Sequence, residues 1–193
     1  MNAICVYCGS SDKINPAFTE AAYELGNLIA SRKMKLVYGA GSTGLMGAVA
    51  NGSLENGGEV VGVIPKIFNT PNLAHQGLSQ LEIVEDMHQR KARLVELADA
   101  FVALPGGFGT LEELFEVLTW AQIGLHKKPV GLLNTLQYYN PLIQMINQAN
   151  AEGFIYHEHQ RLFTASEDPQ TLLENLVKHN HPTGLERWLT RDD

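Results

Sequence analysis

Six short apolar runs punctuate the chain: "AICVY", "KLVYG", "EVVGVIP", "LEIVE", "AFVALP" and "KPVGLL". Each is continuous rather than alternating, and segments of helical length separate them. A strand that is apolar at every position must be covered on both faces, the condition of a strand in a parallel sheet with helices on either side. The alternation predicts an α/β chain with a doubly wound, Rossmann-like parallel sheet flanked by helices.

Helix signals fill the gaps. "NPAFTEAAYELGNLIASR" opens with Asn15 as N-cap and Pro16 at the first helical position, and "LMGAVANGSLENGG" stops at a glycine pair. "EDMHQRKARLVELADA" and "TLEELFEVLTWAQIG" are the most regular helices, and "YYNPLIQMINQANAEG" and "DPQTLLENLVKHN" continue the pattern beyond residue 135. No repeat or linker interrupts them. The expectation is a single domain over residues 1–180, with 181–193 a C-terminal tail that is either disordered or docked through Trp188 and Leu189.

At 193 residues a chain buries about two-thirds or more of the surface it exposes when unfolded, enough for a core without staples. Cys5 and Cys8, three apart on one strand, face opposite sides of the sheet and read as buried structural thiols suited to a reducing cytosol. No run approaches the length of a membrane span and the first residues lack a basic leader, so the expected location is cytoplasmic. Fourteen Lys and Arg against 21 Asp and Glu give a net charge of −7 without a basic block, which argues against a nucleic-acid partner. "HEH" at residues 157–159 has no third ligand to complete a metal site, so no metal is expected.

Glycines cluster after three strands, in "CGSS", "GAGSTGLMG" and "PGGFGT". In a doubly wound sheet these turns lie at the carboxyl ends of the strands, where ligands bind. A turn without side chains lets backbone N–H groups approach a ligand, and the following helix adds its positive dipole end; together they suit a phosphate. Alternatively each glycine only supplies positive φ in a tight turn. "GAGSTG" fits G-x-G-x-x-G, but it follows the second strand. "VIPK" stands where a dinucleotide site would carry an acid at the end of the next strand, Glu59 lying before that strand.

Two helices carry polar residues in unexpected places. Helical spacing puts Arg90 inside the apolar stripe of Met87, Leu94 and Leu97, where it either snorkels outward or reaches an oxyanion at the sheet edge. On the next helix the expected core stripe is Leu111, Leu114, Phe115 and Leu118. Glu113 then shares a second face with Val117, Trp120 and Gly124, beside Glu116, and a second subunit is the simplest cover for that face. Glu113 is either a first-turn acid complementing the helix dipole or a ligand group.

"VYCGSS", "YGAGSTGLMG", "DMHQRKARL", "PGGFGTLEEL" and "TWAQIGLHKKPVGLLN", in this order, resemble the lonely guy (LOG) family over roughly residues 1–165. Its signature is P-G-G-x-G-T-x-x-E with M-x-x-R-K upstream. Ala40 departs from the all-glycine start of "GAGSTG" common in the family, a change expected to matter little. The resemblance implies hydrolysis of the N-glycosidic bond of cytokinin riboside 5′-monophosphates or AMP, giving a purine base and ribose 5-phosphate without a cofactor.

It also implies Arg90 and Glu113 as the catalytic pair, a phosphate held by Gly106, Gly107, Gly109 and Thr110, and a homodimer or larger homo-oligomer. Gly9, Ser10, Gly41, Gly44 and Met87 are further expected contacts to base or sugar. Glu116 either supports Glu113 or is a solvated acid, and Lys91 pairs with the phosphate or with a carboxylate. The competing readings are a non-catalytic nucleotide sensor and a pyridoxal-phosphate lysine decarboxylase, for which no lysine is marked.

Overall fold

The six apolar runs become β1 (Ala3–Tyr7), β2 (Lys35–Tyr38), β3 (Val60–Pro65), β4 (Gln80–Val84), β5 (Ala100–Ala103) and β6 (Val130–Leu133). The computed structural model describes residues 1–185, so the docking expected of Trp188 and Leu189 lies outside the described residues. A seventh strand, β7 (Phe163–Ser166), pairs with β6 and is not foreseen by hydropathy, since "FTAS" holds no apolar run. The strands form one parallel sheet in the order β4-β3-β2-β1-β5-β6-β7. The chain winds outward from β1 to β4, then returns to the other side of β1 at β5. The turns after β1 and β5 therefore part at the carboxyl edge, the usual place for a ligand.

Two layers of helices cover the sheet. The helices α1 (Pro16–Ser31) and α2 (Gly44–Leu54), with α6 (Pro169–Lys178), pack on Ile4, Val6, Leu36 and Tyr38. On the other face α3 (Met87–Leu97), α4 (Phe108–Gln122) and α5 (Asn140–Ala151) pack on Cys5, Val37, Phe101 and Leu132. Cys5 and Cys8 belong to opposite cores and are unpaired, and burial pushes both thiols up. They are inert filling.

The start of α1 follows its sequence: Asn15 Oδ1 accepts from the Ala17 N–H at 3.0 Å, with Pro16 in the first turn. One expectation fails at the sheet edge. Not all strands are covered on both faces, because β4 has a single neighbour and leaves Leu81 and Ile83 exposed. No helix among the described residues is long and apolar enough to cross a membrane.

Candidate active site

The three glycine turns sit side by side, after β2, β1 and β5. In the turn from β5 to α4, three successive carbonyls are engaged. Leu104 O accepts from Tyr139 Oη at 2.6 Å, Pro105 O from the Gly9 N–H at 3.1 Å and Gly106 O from Tyr138 Oη at 2.6 Å. The amides are not: among the described residues the N–H groups of Gly107, Phe108, Gly109 and Thr110 meet no acceptor, as the first turn of a helix leaves them. Gly106 is required by packing, since a Cβ there would lie 2.1 Å from Thr110 Oγ1 and 2.8 Å from Gly9 N. Gly107 and Gly109 are not. Neither has positive φ, and a Cβ on either would meet nothing within 4 Å.

The turn from β2 to α2 is built in the opposite sense. Asp12 Oδ1 accepts from the Gly44 N–H at 2.7 Å, Thr43 Oγ1 donates to Ser10 O at 2.9 Å, and the Leu45 N–H donates to Gly9 O at 3.0 Å. Gly44 has φ +58° and a Cβ on it would lie 2.5 Å from the Ser10 carbonyl carbon. This helix start already carries an anion of the protein's own. The G-x-G-x-x-G match is therefore a packing device that ties α2 to the β1 turn.

Between the two turns opens a cavity of about 530 Å³. Of the expected site residues it is lined by Gly9, Ser10, Gly41, Met87, Arg90, Gly107, Gly109, Thr110 and Glu113. Gly106 faces a neighbouring cavity of about 390 Å³ on the far side of the turn. Gly44, Lys91 and Glu116 line neither. Lys91 is paired instead with carboxylates, with Glu112 through a short contact and with Glu116 at 2.9 Å, and the Glu112 hydrogen bond leads in raising its pKa. This bridge clamps α3 to α4.

Sequence reasoning misses Thr43, Met46, Ile64, Pro65, Phe68 and Leu73 in the wall, which Cys8, Gly39 and Glu112 complete. Phe68 and Leu73 come from the long segment 66–79 between β3 and β4, which has no hydropathic period to betray it. Its Leu73 carbonyl accepts from the Ser42 N–H at 3.0 Å and its His75 N–H donates to Ala40 O at 2.9 Å. Those bonds lay the segment across the mouth of the glycine turns.

Arg90 and Glu113 meet in this cavity, Nη1 to Oε1 at 2.5 Å, and only 7% and 6% of the two residues' surface is exposed. Arg90 Nε also donates to Val63 O at 3.3 Å. The guanidinium lies over Gly39, where a Cβ would come within 2.1 Å of Nη2. That glycine makes room for the arginine. Arg90 does not snorkel outward; its partner in the structure is the Glu113 carboxylate. Burial pushes the Glu113 carboxyl up from its ordinary range, while the charge and hydrogen bond of Arg90 pull it back.

The faces of α4 need correcting. Its buried stripe is Thr110, Glu113, Leu114, Val117, Leu118 and Ala121, and Phe115 is 44% exposed. Glu113 and Val117 are covered by this chain's own sheet, Val117 packing with Tyr7 and Phe101 in the core, and not by a second subunit. The periodicity alone places Phe115 and Glu113 on the wrong sides because α4 has apolar residues nearly all round.

Fold and site together define an α/β protein in which an open helix N-terminus and a buried arginine–carboxylate pair share one cavity at the switch point of the sheet. The chain belongs to the family described as possible lysine decarboxylase, which matches residues 46–176. It is 48% identical over 176 residues to a cytokinin riboside 5′-monophosphate phosphoribohydrolase of Arabidopsis thaliana, covering 91% of this chain and 81% of that one.

A protein of the same description from Rhodococcoides fascians is 52% identical over 154 residues, 79% of this chain and 78% of its own. Among solved structures, the molybdenum cofactor carrier protein of Chlamydomonas reinhardtii superposes with a TM-score of 0.70 at 23% identity, covering 92% and 98% of the two chains. At that identity the likeness is one of fold. Among the described residues, those that line the cavity include no lysine to form the Schiff base that decarboxylation through pyridoxal phosphate would need.

Proposed function

We propose that the protein hydrolyses the N-glycosidic bond of purine nucleoside 5′-monophosphates, cytokinin riboside monophosphates and AMP, to free base and ribose 5-phosphate. The observation that carries this reading is the buried Arg90–Glu113 pair opening on the same cavity as the bare amides of α4. The 5′-phosphate would sit on the N–H groups of Gly107 to Thr110, with the Thr110 hydroxyl, where two glycines leave space that packing does not require. At about 1.5 Å of rise per residue, Glu113 lies about 4.5 Å along the helix from Thr110, which suits the step from a 5′-phosphate to its ribose ring.

Cleavage breaks the bond from the anomeric carbon to the purine nitrogen, and the electron pair leaves with the base. The sugar passes through an oxocarbenium-like state. Glu113, ionised, stabilises the positive charge, accepts from the ribose hydroxyls and orients the water that attacks the anomeric carbon; that water releases one proton to solvent and the departing base takes one up from solvent. Arg90 holds that carboxylate and donates to charge as it develops; it keeps its proton throughout. Phe68, Leu73 and Met87 give the cavity an apolar rim fitted to a purine and an apolar substituent on it.

The working unit we infer is a homo-oligomer. Its apolar surface is not the Glu113 side of α4 but the opposite one, where Phe115, Met145 and Ile155 line a groove. The reducing cytoplasm suits the two free thiols.

The test is to incubate the protein with AMP and, separately, with N6-isopentenyladenosine 5′-monophosphate, following base and ribose 5-phosphate by chromatography. Release from a monophosphate but not from its nucleoside, lost in Glu113→Ala, is expected. Tight binding without release from either nucleotide would overturn the reading in favour of a nucleotide sensor.

A further inference from the structure

Leu136 and Gln137, just after β6, both have left-handed backbones, with φ of 51° and 59°. Leu136 is 55% exposed, so burial of its side chain does not explain the conformation. Strained backbone persists where surrounding structure over-determines it. Here the over-determination is visible: the Gln137 N–H donates to Asn134 O, the Tyr138 N–H to Thr135 O, and the Tyr139 N–H to Asn134 Oδ1. The product of the strained pair is the placement of the next two residues. Tyr139 is buried and donates to Leu104 O, at the end of β5. Tyr138 reaches further along the same turn, to Gly106 O, with its ring against Phe18 edge-on at 6.0 Å.

A trans peptide points its C=O and the following N–H in opposite directions. Fixing the Gly106 carbonyl therefore fixes the Gly107 N–H. That peptide joins two glycines, the residues least able to hold a plane by themselves, and a Cβ on Gly107 would touch nothing within 4 Å. The Tyr138 hydroxyl is the partner of this carbonyl, and it approaches from the neighbouring cavity, where both Tyr138 and Gly106 are found. Gly107 lines both cavities, so the peptide is the wall between them.

We propose that Tyr138 is a positioning residue of the anion site: by holding the Gly106 carbonyl on one side of the turn it presents the Gly107 N–H to the phosphate on the other. The proposal rests on the reading above that the turn binds a 5′-phosphate. It assigns a function to the neighbouring cavity, which houses the support of the site and not a second ligand.

Tyr138→Phe keeps the ring and removes only the hydroxyl. The KM for AMP and the inhibition constant of ribose 5-phosphate should each rise about tenfold, the scale of one hydrogen bond to a charged group, with kcat held within about twofold. The inhibition constant of adenosine, which has no phosphate, should not move. Tyr139→Phe is the companion variant. It should lower the melting temperature and leave the ribose 5-phosphate constant in place.

Unchanged phosphate affinity in Tyr138→Phe overturns the proposal. So does an equal loss for adenosine, or the same pattern in both variants, which would mark general loosening of the turn. Absence of inhibition by ribose 5-phosphate in the parent protein would instead sink the phosphate reading itself, and this proposal with it.

Discussion

The turns after β2 and β5 are alike in sequence and opposite in construction. Each is rich in glycine, follows a buried strand and opens a helix packed on the sheet. In the first, the Gly44 N–H at the start of α2 is already taken by Asp12, Gly44 and Gly47 accommodate neighbouring backbone, and Gly39 and Gly41 accommodate the side chains of Arg90 and Met46. In the second, the carbonyls are tied back by Gly9 and two tyrosines, while the amides meet no acceptor among the described residues and Gly107, Gly109 and Thr110 line the cavity. Glycine content therefore does not make an anion site; the fate of the N–H groups does.

The largest test breaks the chemistry that only the second turn serves. Glu113→Gln should lower kcat by about 10²–10⁴, the span of a positioned acid–base or electrostatic group, with AMP binding retained. The buried pair should also respond unequally to losing either partner. Glu113→Ala strands a guanidinium that cannot give up its proton, a loss of about 3–5 kcal/mol. Arg90→Gln leaves a carboxyl that burial already pushes towards protonation, so denaturant unfolding should show the smaller loss there. Equal losses would mean that the two charges are better hydrated than their burial indicates.

The next contrast sets Gly109 against Gly47. Both lie in the first turns of their helices. Gly109→Ala should stabilise the fold by about 0.5–1 kcal/mol, the ordinary gain of alanine over glycine in a helix. It should nonetheless raise the KM for AMP by about tenfold or more as the methyl crowds the phosphate. Gly47→Ala should do the reverse and destabilise, because its Cβ would lie 2.2 Å from Ser42 O. A Gly109→Ala protein with unchanged KM would remove the phosphate from this turn.

The pH profile follows from Glu113. Its raised pKa means that the ionised form is lost early on acidification, so kcat/KM should fall on the acid side above the usual glutamate value of about 4.3. Arg90→Gln removes the influence that pulls the pKa down, and the acid limb of its residual activity should move to still higher pH. Asp12→Ala acts on the other turn. Loss of this carboxylate cap should cost about 0.5–2 kcal/mol of stability, with no change in the KM for AMP.

Much of this was legible in the sequence, for physical reasons. Continuous apolar runs of strand length point to strands inside a parallel sheet, so six of the seven appear in order, although β4 at the sheet edge stays open on one face. "FTAS" at Phe163–Ser166 is too short and too polar to announce β7. The inward Arg90 was legible because a cation inside an apolar stripe demands a partner, and Glu113 supplies it. The cover of Glu113 was not, because an apolar residue at nearly every angle of α4 lets two stripes compete, and only the sheet decides between them. Phe68 and Leu73 reach the cavity, and Tyr138 and Asp12 the turns beside it, from loops through contacts distant in sequence, where no period operates.

The smallest test sits at Ala40, which has φ +62° and is fully buried. Left-handed backbone costs an L-residue about 1–2 kcal/mol that glycine avoids. Against this, Ala40→Gly removes a buried methyl group worth about 0.8 kcal/mol and adds about 0.4–1 kcal/mol of unfolded-state entropy. The sum is close to zero, so denaturant unfolding should shift by less than about 1 kcal/mol.

The KM for AMP should stay where it is, because the Ala40 methyl packs with Ile64 and Ala74 and not into the cavity. That outcome would separate the two turns for good. In a phosphate cradle a missing glycine obstructs the ligand, whereas here the extra methyl is part of the core. A fall in KM on restoring glycine would show that the turn after β2 approaches the nucleotide after all, and the contrast between the two turns would then be one of degree.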